Sequence, residues 1–301
     1  MEELEELRKK YIKVLIMSLT IVGCIILIEI LMIFKFFFNL FLLFFTIIIS
    51  ISLINIILSK TKLEYNLVYK DLFVKKSLEK IFTELEYDPQ KGLDRELIAQ
   101  TKMMNMGDRY FSNDYIKGKY KDISFEQADV TIEVEHESTD SDGNTTTTYI
   151  PIFVGRWMIF DFNKSFKYNF QVCQKGFGSN MVNTLFSKTK YHKINLESVE
   201  FNKRFNVYAI NDHDVFYVLS PSLIQKIMDL SNQMKGKVLL CFFNNKLHVG
   251  LNNNIDSFEA TSPLKKIDSE KVMKNISNDI KTITMFVDDL NLDNDLFKKE
   301  N

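Results

Sequence analysis

The sequence predicts an α+β domain, an antiparallel sheet with helices, preceded by a transmembrane hairpin of two helices. The hairpin is predicted because residues 11–58 carry only three formal charges, Lys13, Glu29 and Lys35, among residues that are mostly Ile, Leu and Phe. The sheet is predicted because the hydrophobic pattern changes to a period of two from Arg109 onward. That period is typical of strands with one buried face.

The apolar segment is long enough to cross a bilayer twice. A helix needs about 20 residues to cross a hydrocarbon core of roughly 30 Å, and this segment is a little over twice as long, with breaks at Lys35 and Asn39. We therefore predict two antiparallel helices, at about 12–34 and 37–58, joined by a very tight turn. A wedge that enters and leaves the same leaflet is the alternative, because so short a turn could stay inside the membrane.

The distribution of cations predicts the orientation of the hairpin. The flanking cations are Arg8, Lys9, Lys10 and Lys13 before the first helix, and Lys60, Lys62, Lys70, Lys75 and Lys76 after the second. The turn between the helices offers only Lys35. Since the side richer in Lys and Arg stays in the cytoplasm, we expect a multi-pass protein of the inner (plasma) membrane with both termini cytoplasmic. Glu29 lies near the end of its helix, within reach of the headgroups.

Composition limits the partners that the chain can have. The formal net charge is −1, from 38 basic and 39 acidic residues. This balance argues against nucleic acid, which calls for a basic stripe or patch. The expected partners are the lipid bilayer and a protein partner, and the oligomeric state stays open.

The pattern divides the chain into five parts. These are a cytoplasmic lead at 1–10, the hairpin at 11–60, juxtamembrane helices at 61–107, the α+β cytoplasmic domain with its C-terminal helix at 108–290, and a polar tail at 291–301. The two juxtamembrane helices are predicted at about 63–86 and 94–104, because apolar residues recur there at spacings of three and four.

Within the α+β domain, turn residues mark the connections between elements. Asp142-Gly143-Asn144 is predicted as the tip of a long β-hairpin, because glycine adopts positive φ without steric cost. Asn244-Asn245 indicates a second hairpin, and Ser220-Pro221 indicates a capped helix start. The other predicted elements are strands at 165–173 and 199–210, a helical turn capped by Asp212, and a last helix from Asp268 or Ser269.

Several segments resemble a bacterial membrane protein family, the domain of unknown function 3137. The matching pieces are Tyr87-Asp88-Pro89 with Gly92, 113–119, 124–126, 139–148, 153–166, 196–208 and 212–221, all in the same order. The chain departs from the pattern at Asn113-Asp114, where a more acidic pair is expected. The resemblance implies two N-terminal membrane spans followed by a cytoplasmic α+β domain. It implies no catalytic residues.

Candidate catalytic residues are few. Asp161 and Lys164 could act as an acid and an amine, although Asp and Asn at a strand end more commonly bond to their own backbone. His213, between Asp212 and Asp214, could be a tuned base or a solvated residue near a helix cap. The four histidines are far apart and no dinucleotide fingerprint occurs, so we predict neither metal nor cofactor.

The sequence therefore favours a non-enzymatic, membrane-anchored binding or scaffold module. One alternative is a membrane-tethered enzyme with a site near Asp161, Lys164 and His213. The other is a structural or membrane-shaping protein, in which the hairpin itself does the work.

Overall fold

The structure is a computed structural model that describes residues 1–36, 40–162, 167–177, 191–290 and 292, with no side chains described in the range 32–43. The chain forms two compact units. The first consists of Met1–Lys76 and Glu259–Ile276, and the second of Ser77–Phe258 and Ser277–Asn301.

Two long helices dominate the first unit. Helix α1 spans Glu2–Phe36 and α2 spans Leu40–Tyr69, followed by a π-helical segment, Lys70–Lys75, and a short α3, Lys76–Leu78. The acidic first turn of α1 complements the positive end of the helix dipole. The turn predicted at residues 35–36 is wrong in position, because α1 continues through Phe36. Residues 37–39, where the second helix is predicted to begin, lie outside the described residues.

Helices α1 and α2 lie side by side and run antiparallel. Near one end, the Nζ atom of Lys10 is 2.8 Å from Oε2 of Glu64. Farther along, Oγ1 of Thr46 donates a hydrogen bond of 2.8 Å to Oε2 of Glu29. The residue numbers rise along one helix while they fall along the other, as the predicted hairpin requires.

The apolar surfaces of these helices face outward. Two stretches, Glu2–Leu31 and Phe44–Leu78, are long and apolar enough to cross a membrane. Within their most apolar windows, 0% and 6% of the residues are buried, respectively. The core helix of a soluble protein would be mostly buried, so this exposure indicates association with a membrane.

The second unit is built on an antiparallel sheet, in which nine strands are found among the described residues. The strands are β1 (Thr83–Asp88), β2 (Arg109–Tyr120), β3 (Ile123–Thr139), β4 (Thr145–Asp161), β5 (Phe170–Gln174), β6 (His192–Ile194), β7 (Phe205–Ala209), β8 (Lys237–Phe243) and β9 (Lys246–Asn252). Their spatial order is β1-β2-β3-β4-β9-β8-β5-β7-β6. Together with the two preceding apolar helices, this sheet confirms the predicted fold class.

Five further helices complete the described structure. They are α4 (Arg95–Ala99), α5 (Val199–Arg204), α6 (Asp212–Val218), α7 (Pro221–Gln233) and α8 (Ser269–Leu290). Side chains start four of them: Asp94, Ser198, Asn211 and Ser220 accept hydrogen bonds from the first turns of α4 to α7. Such caps satisfy backbone N–H groups that lack a partner within the helix.

The sheet buries residues on both faces. On one face, Trp157 lies in a cluster with Phe153 and apolar residues of the segment 93–106. On the other face, the ring of Phe160 packs against Phe286 of α8 with centroids 6.1 Å apart. Alternation along β4 sends Trp157 and Phe160 to opposite sides.

Several predicted elements are confirmed and others are wrong. The hairpins with tips at 142–144 and 244–245 are present, as are the Ser220 cap and the last helix, which begins at Ser269. The predicted helix at 63–86 ends at Leu78, and β1 follows. Tertiary contacts explain the difference, because Phe82 packs on Phe125 with centroids 4.7 Å apart and β1 pairs with β2.

Other corrections concern element lengths. The predicted helix at 94–104 is only α4, and the predicted strand at 165–173 is β5, which begins at Phe170. The predicted strand at 199–210 begins as helix α5, because Ser198 accepts a hydrogen bond from the backbone N–H of Phe201 and starts a helical turn. The residue that caps α6 is Asn211 rather than Asp212.

Candidate functional site

Asp161 lies at the end of β4, at the edge of a small charged cleft. The cleft has a volume of about 90 Å³ and includes Lys117, Glu126 and Lys246. Nζ of Lys246 lies 3.9 Å from Oδ1 of Asp161 and 4.0 Å from Oε1 of Glu126. The cross-strand pairing of Asp161 with Lys246 produces this arrangement. One ammonium group therefore lies between two carboxylates.

Of the other two predicted residues, the structure describes only His213. His213 is the second residue of α6, with a side chain that is 84% exposed and Nδ1 3.7 Å from Oδ1 of Asp214. The ion-pair partner of Asp161 is Lys246, whereas that of His213 is Asp214. Among the described contacts, Asp161 and His213 therefore share no ion-pair partner. Lys164 lies outside the described residues.

An apolar groove lies beside helices α6 and α7. Its volume is about 500 Å³. The apolar lining consists of Leu196, Phe216, Leu219, Pro221, Ile224 and Met228, and the polar lining of Glu197, Ser198 and Gln225. An apolar surface with a few polar groups is typical of binding sites.

The groove forms because α6 has apolar residues on more than one side. Val215 and Val218 are buried in the second unit, whereas Phe216 and Tyr217 are about half exposed. Phe216 lines the groove, and Pro221 at the start of α7 forms another part of its wall. A weak signal of this groove exists in the sequence, because a short helix with four apolar residues in seven has too many for one buried face.

A buried group of charges joins three elements of the second unit. Arg156 on β4 faces Asp129 on β3, with Nε 3.7 Å from Oδ1. Nη1 of Arg156 donates a hydrogen bond of 2.6 Å to the backbone oxygen of Asp279 in α8. Oδ2 of Asp129 accepts a hydrogen bond of 2.7 Å from the backbone N–H of Ser257. These contacts connect the sheet, the turn at 257 and α8.

Burial controls the protonation of this group. Desolvation raises the pKa of Asp129 to about 8, with Arg156 opposing the rise and the nearby carboxylates of Asp114 and Asp256 adding to it. Burial also raises the pKa of Asp279, again against the effect of Arg156. The carboxyl group of Asp129 can therefore hold a proton near neutral pH. The hydrogen bonds and ion pairs of the group also join the sheet to α8.

Sequence reasoning missed this group of charges. Arg156 stands in the nearly continuous apolar run 155–162, which is typical of a central strand. A lone arginine in such a run is the signal that could have indicated a buried acidic partner, because buried charges are usually paired.

A second buried polar group lies on the other face of the sheet. Nε1 of Trp157 donates a hydrogen bond of 3.4 Å to Nδ1 of His248. Burial, together with a smaller effect of the Lys246 ammonium, lowers the pKa of His248 to about 4, so the imidazole is neutral at pH 7. Burial raises the pKa of the Cys173 thiol to about 12 and that of Cys241 well above its usual value. Both thiols are therefore protonated and inert.

Comparison with known proteins identifies the family. Residues 151–292 match a family model described as "Protein of unknown function (DUF3137)". The match supports the assignment of residues 151–292 to that family. The predicted resemblance to the domain of unknown function 3137 is confirmed over residues 151–292, which include Arg156, Asp279 and the groove.

A solved structure with low sequence identity is similar to this chain. It is the crystal structure of the mycobacterial trehalose monomycolate transport factor A, TtfA, with 9% sequence identity and a TM-score of 0.36. The similarity covers 69% of this chain and 88% of that one. A search of the curated proteins found no match.

Proposed function

We propose that this chain is a membrane-anchored binding or scaffold module. Helices α1 and α2 form the anchor, and the apolar groove beside α6 and α7 forms the binding surface. The observation that carries the proposal is the outward exposure of the apolar windows of α1 and α2. In water this surface would be costly, at roughly 25 cal/mol for each Å², and a bilayer removes that cost.

The anchor follows from the length and pairing of the two helices. Only Glu29 is charged between Lys13 and Lys35, and the intervening helix, at 1.5 Å per residue, matches a core of about 30 Å. Glu29 has its hydrogen-bond donor, Thr46, on the neighbouring helix. The cations cluster near the start of α1 and near the end of α2. This distribution favours a cytoplasmic location for the termini and the sheet.

The binding surface follows from the exposure and shape of the groove. Phe216 is 53% exposed at its edge, so a partner that covers it gains apolar contact at little cost in side-chain ordering. Glu197 adds a negative charge to the lining. The partner that fits is a protein segment with apolar side chains on one face and a basic residue beside them.

Two matched substitutions test this binding surface. Phe216→Glu places a charge at the groove, and Phe111→Glu makes the same change on β2 at a phenylalanine that is 54% exposed. The measurement is the yield of a partner cross-linked to the full chain in native membranes. We expect Phe216→Glu to lower this yield at least about tenfold and Phe111→Glu to leave it unchanged. Equal recovery from the two variants would contradict the groove as the binding surface.

A membrane-tethered enzyme with a site near Asp161, Lys164 and His213 is the second candidate function. The observation in its favour is the cleft where Lys246 lies within 4.0 Å of both Asp161 and Glu126. Under the binding proposal, the double variant Asp161→Asn/His213→Gln recovers the cross-linked partner as well as the wild type. Loss of an in vivo phenotype in that variant, with partner recovery intact, would favour the enzyme.

A further inference from the structure

We propose that α1 carries a binding site for an anionic phospholipid, formed by Lys9 and Lys13 and the apolar furrow below them. The inference rests on the anchor part of the proposed function, since the lipid reaches this surface only in a bilayer. The furrow is lined by Lys9, Ile12, Lys13, Ile16 and Met17 and has a volume of about 280 Å³.

Helix geometry places these five residues on one face. Residues three and four apart are neighbours on a helix surface, and the spacing from residue 9 to residue 17 follows that rule. Lys9 and Lys13 lie one turn apart, while Ile16 and Met17 lie on the next turn toward the apolar part of α1. The side chains of Ile16 and Met17 are both more than half exposed. The furrow therefore has a cationic end and an apolar end.

Among the described residues, no carboxylate makes direct contact with the two ammonium groups of this site. The guanidinium group of Arg8 pairs with Glu5 at 2.7 Å, and Lys10 pairs with Glu64 at 2.8 Å. In the part of the chain that the structure describes, neither Lys9 nor Lys13 forms an ion pair or hydrogen bond. Lys9 interacts with the Glu5 carboxylate only at longer range, and two adjacent ammonium groups without a contacting carboxylate favour an anion between them.

The position along α1 identifies the anion as part of a lipid. The site lies where the charged lead of α1 gives way to the apolar run, which is the level of the headgroups when the helix crosses a bilayer. A phospholipid with a net negative headgroup can place its phosphate between Lys9 and Lys13 while an acyl chain lies along Ile12, Ile16 and Met17. A free phosphate would use only the cationic end of the furrow.

A pair of double variants tests the site with the full chain in nanodiscs of phosphatidylcholine and phosphatidylglycerol. Lys9→Gln/Lys13→Gln removes the cationic end, and Lys60→Gln/Lys62→Gln removes two exposed charges from α2 outside the furrow. Native mass spectrometry after gentle transfer to detergent counts the retained phosphatidylglycerol. We expect about a tenfold loss of retained lipid in the first variant and near wild-type retention in the second.

The outcomes separate the lipid site from the anchor. Equal retention by the two variants overturns the lipid site, and so does displacement of the lipid by inorganic phosphate beyond the effect of chloride at equal ionic strength. If the wild-type chain is extracted from membranes by alkaline carbonate, the anchor itself fails. A chain that stays in the membrane but shows no loss specific to Lys9 and Lys13 overturns only the lipid site.

Discussion

Trp157 is the only tryptophan in the chain, and it lies at the centre of the core of the second unit. Its side chain is fully buried, its Nε1 donates to His248, and its ring is 5.8 Å from that of Phe153 between centroids. The fluorescence of one residue therefore reports on the unfolding of the sheet. Two predictions at the residue scale use this signal.

The first prediction concerns the pH dependence set by His248. The pKa of this residue is lowered from an ordinary value of 6.5 to about 4 by burial. Between these values the unfolded chain binds a proton that the folded chain does not, so stability is complete above about pH 6.5 and falls as the pH drops through 4. The expected loss is up to about 3 kcal/mol, measured by denaturant unfolding of the full chain in detergent.

The control for this prediction is His248→Gln, which keeps an acceptor for Trp157 but does not titrate. The raised pKa of Asp129 acts in the opposite direction throughout this range. Between its ordinary value of 3.8 and about 8 the folded chain binds a proton that the unfolded chain does not, so this contribution to stability is lost as the pH rises through about 8. Comparing the two chains removes that contribution. The same pH slope in both chains would show that His248 is not the group responsible.

The second prediction concerns Gly250, which faces Trp157 across the β4–β9 pair. A Cβ atom at Gly250 would lie 2.9 Å from Cζ3 of Trp157 and 3.3 Å from Cε2 of Phe153. Gly250→Ala should therefore overpack the core, cost about 1–3 kcal/mol and lower the thermal midpoint by several degrees.

Gly23→Ala is the matched control, because no atom lies within 4 Å of a Cβ at Gly23. The midpoint of this variant should stay near that of the wild type. A wild-type midpoint for Gly250→Ala would mean that the Trp157 ring has room to move, against the packing described here.

At the scale of elements, the proposed anchor requires that α1 and α2 pair in one antiparallel register. Glu29 and Thr46 are in direct contact across the two helices. We predict that cysteines at these two positions, in a Cys24→Ser background, form a disulfide or react with a short thiol cross-linker within native membranes. Glu29→Cys with Ser52→Cys should not, because residue 52 lies more than one turn along α2 from Thr46. Equal cross-linking of both pairs would rule out the register.

The elements predicted correctly from the sequence are those fixed by local chemistry. Gly143 and the Asn244-Asn245 pair define tight turns, and Ser220-Pro221 defines a helix start, because each acts on its own backbone. Strand β1 was missed because its pairing with β2 and the packing of Phe82 outweigh a helical spacing of apolar residues. The groove was missed for a similar reason, since Leu196 and Ile224 meet only in the folded chain.

At the scale of the whole molecule, the order of the strands in the sheet could not be predicted from the sequence. Strand β4 pairs with β9, placing Gly155 opposite Asn252 although they are distant in the chain. The contact between Arg156 and Asp279 likewise joins residues far apart in sequence. Alternation predicts that such strands exist, but not which strand lies beside which. The two long apolar helices could be predicted because length and composition alone define them.

In the topology that we propose, α1 and α2 cross the membrane and leave both the first residues and the sheet on the cytoplasmic side. Single cysteines at two exposed positions, Glu6→Cys and Asp140→Cys, test it in a Cys24→Ser chain treated with a membrane-impermeant maleimide. We expect neither position to be labelled in intact cells and both to be labelled after the inner membrane is permeabilised. Labelling of Asp140→Cys in intact cells, or release of the chain by alkaline carbonate, would contradict it.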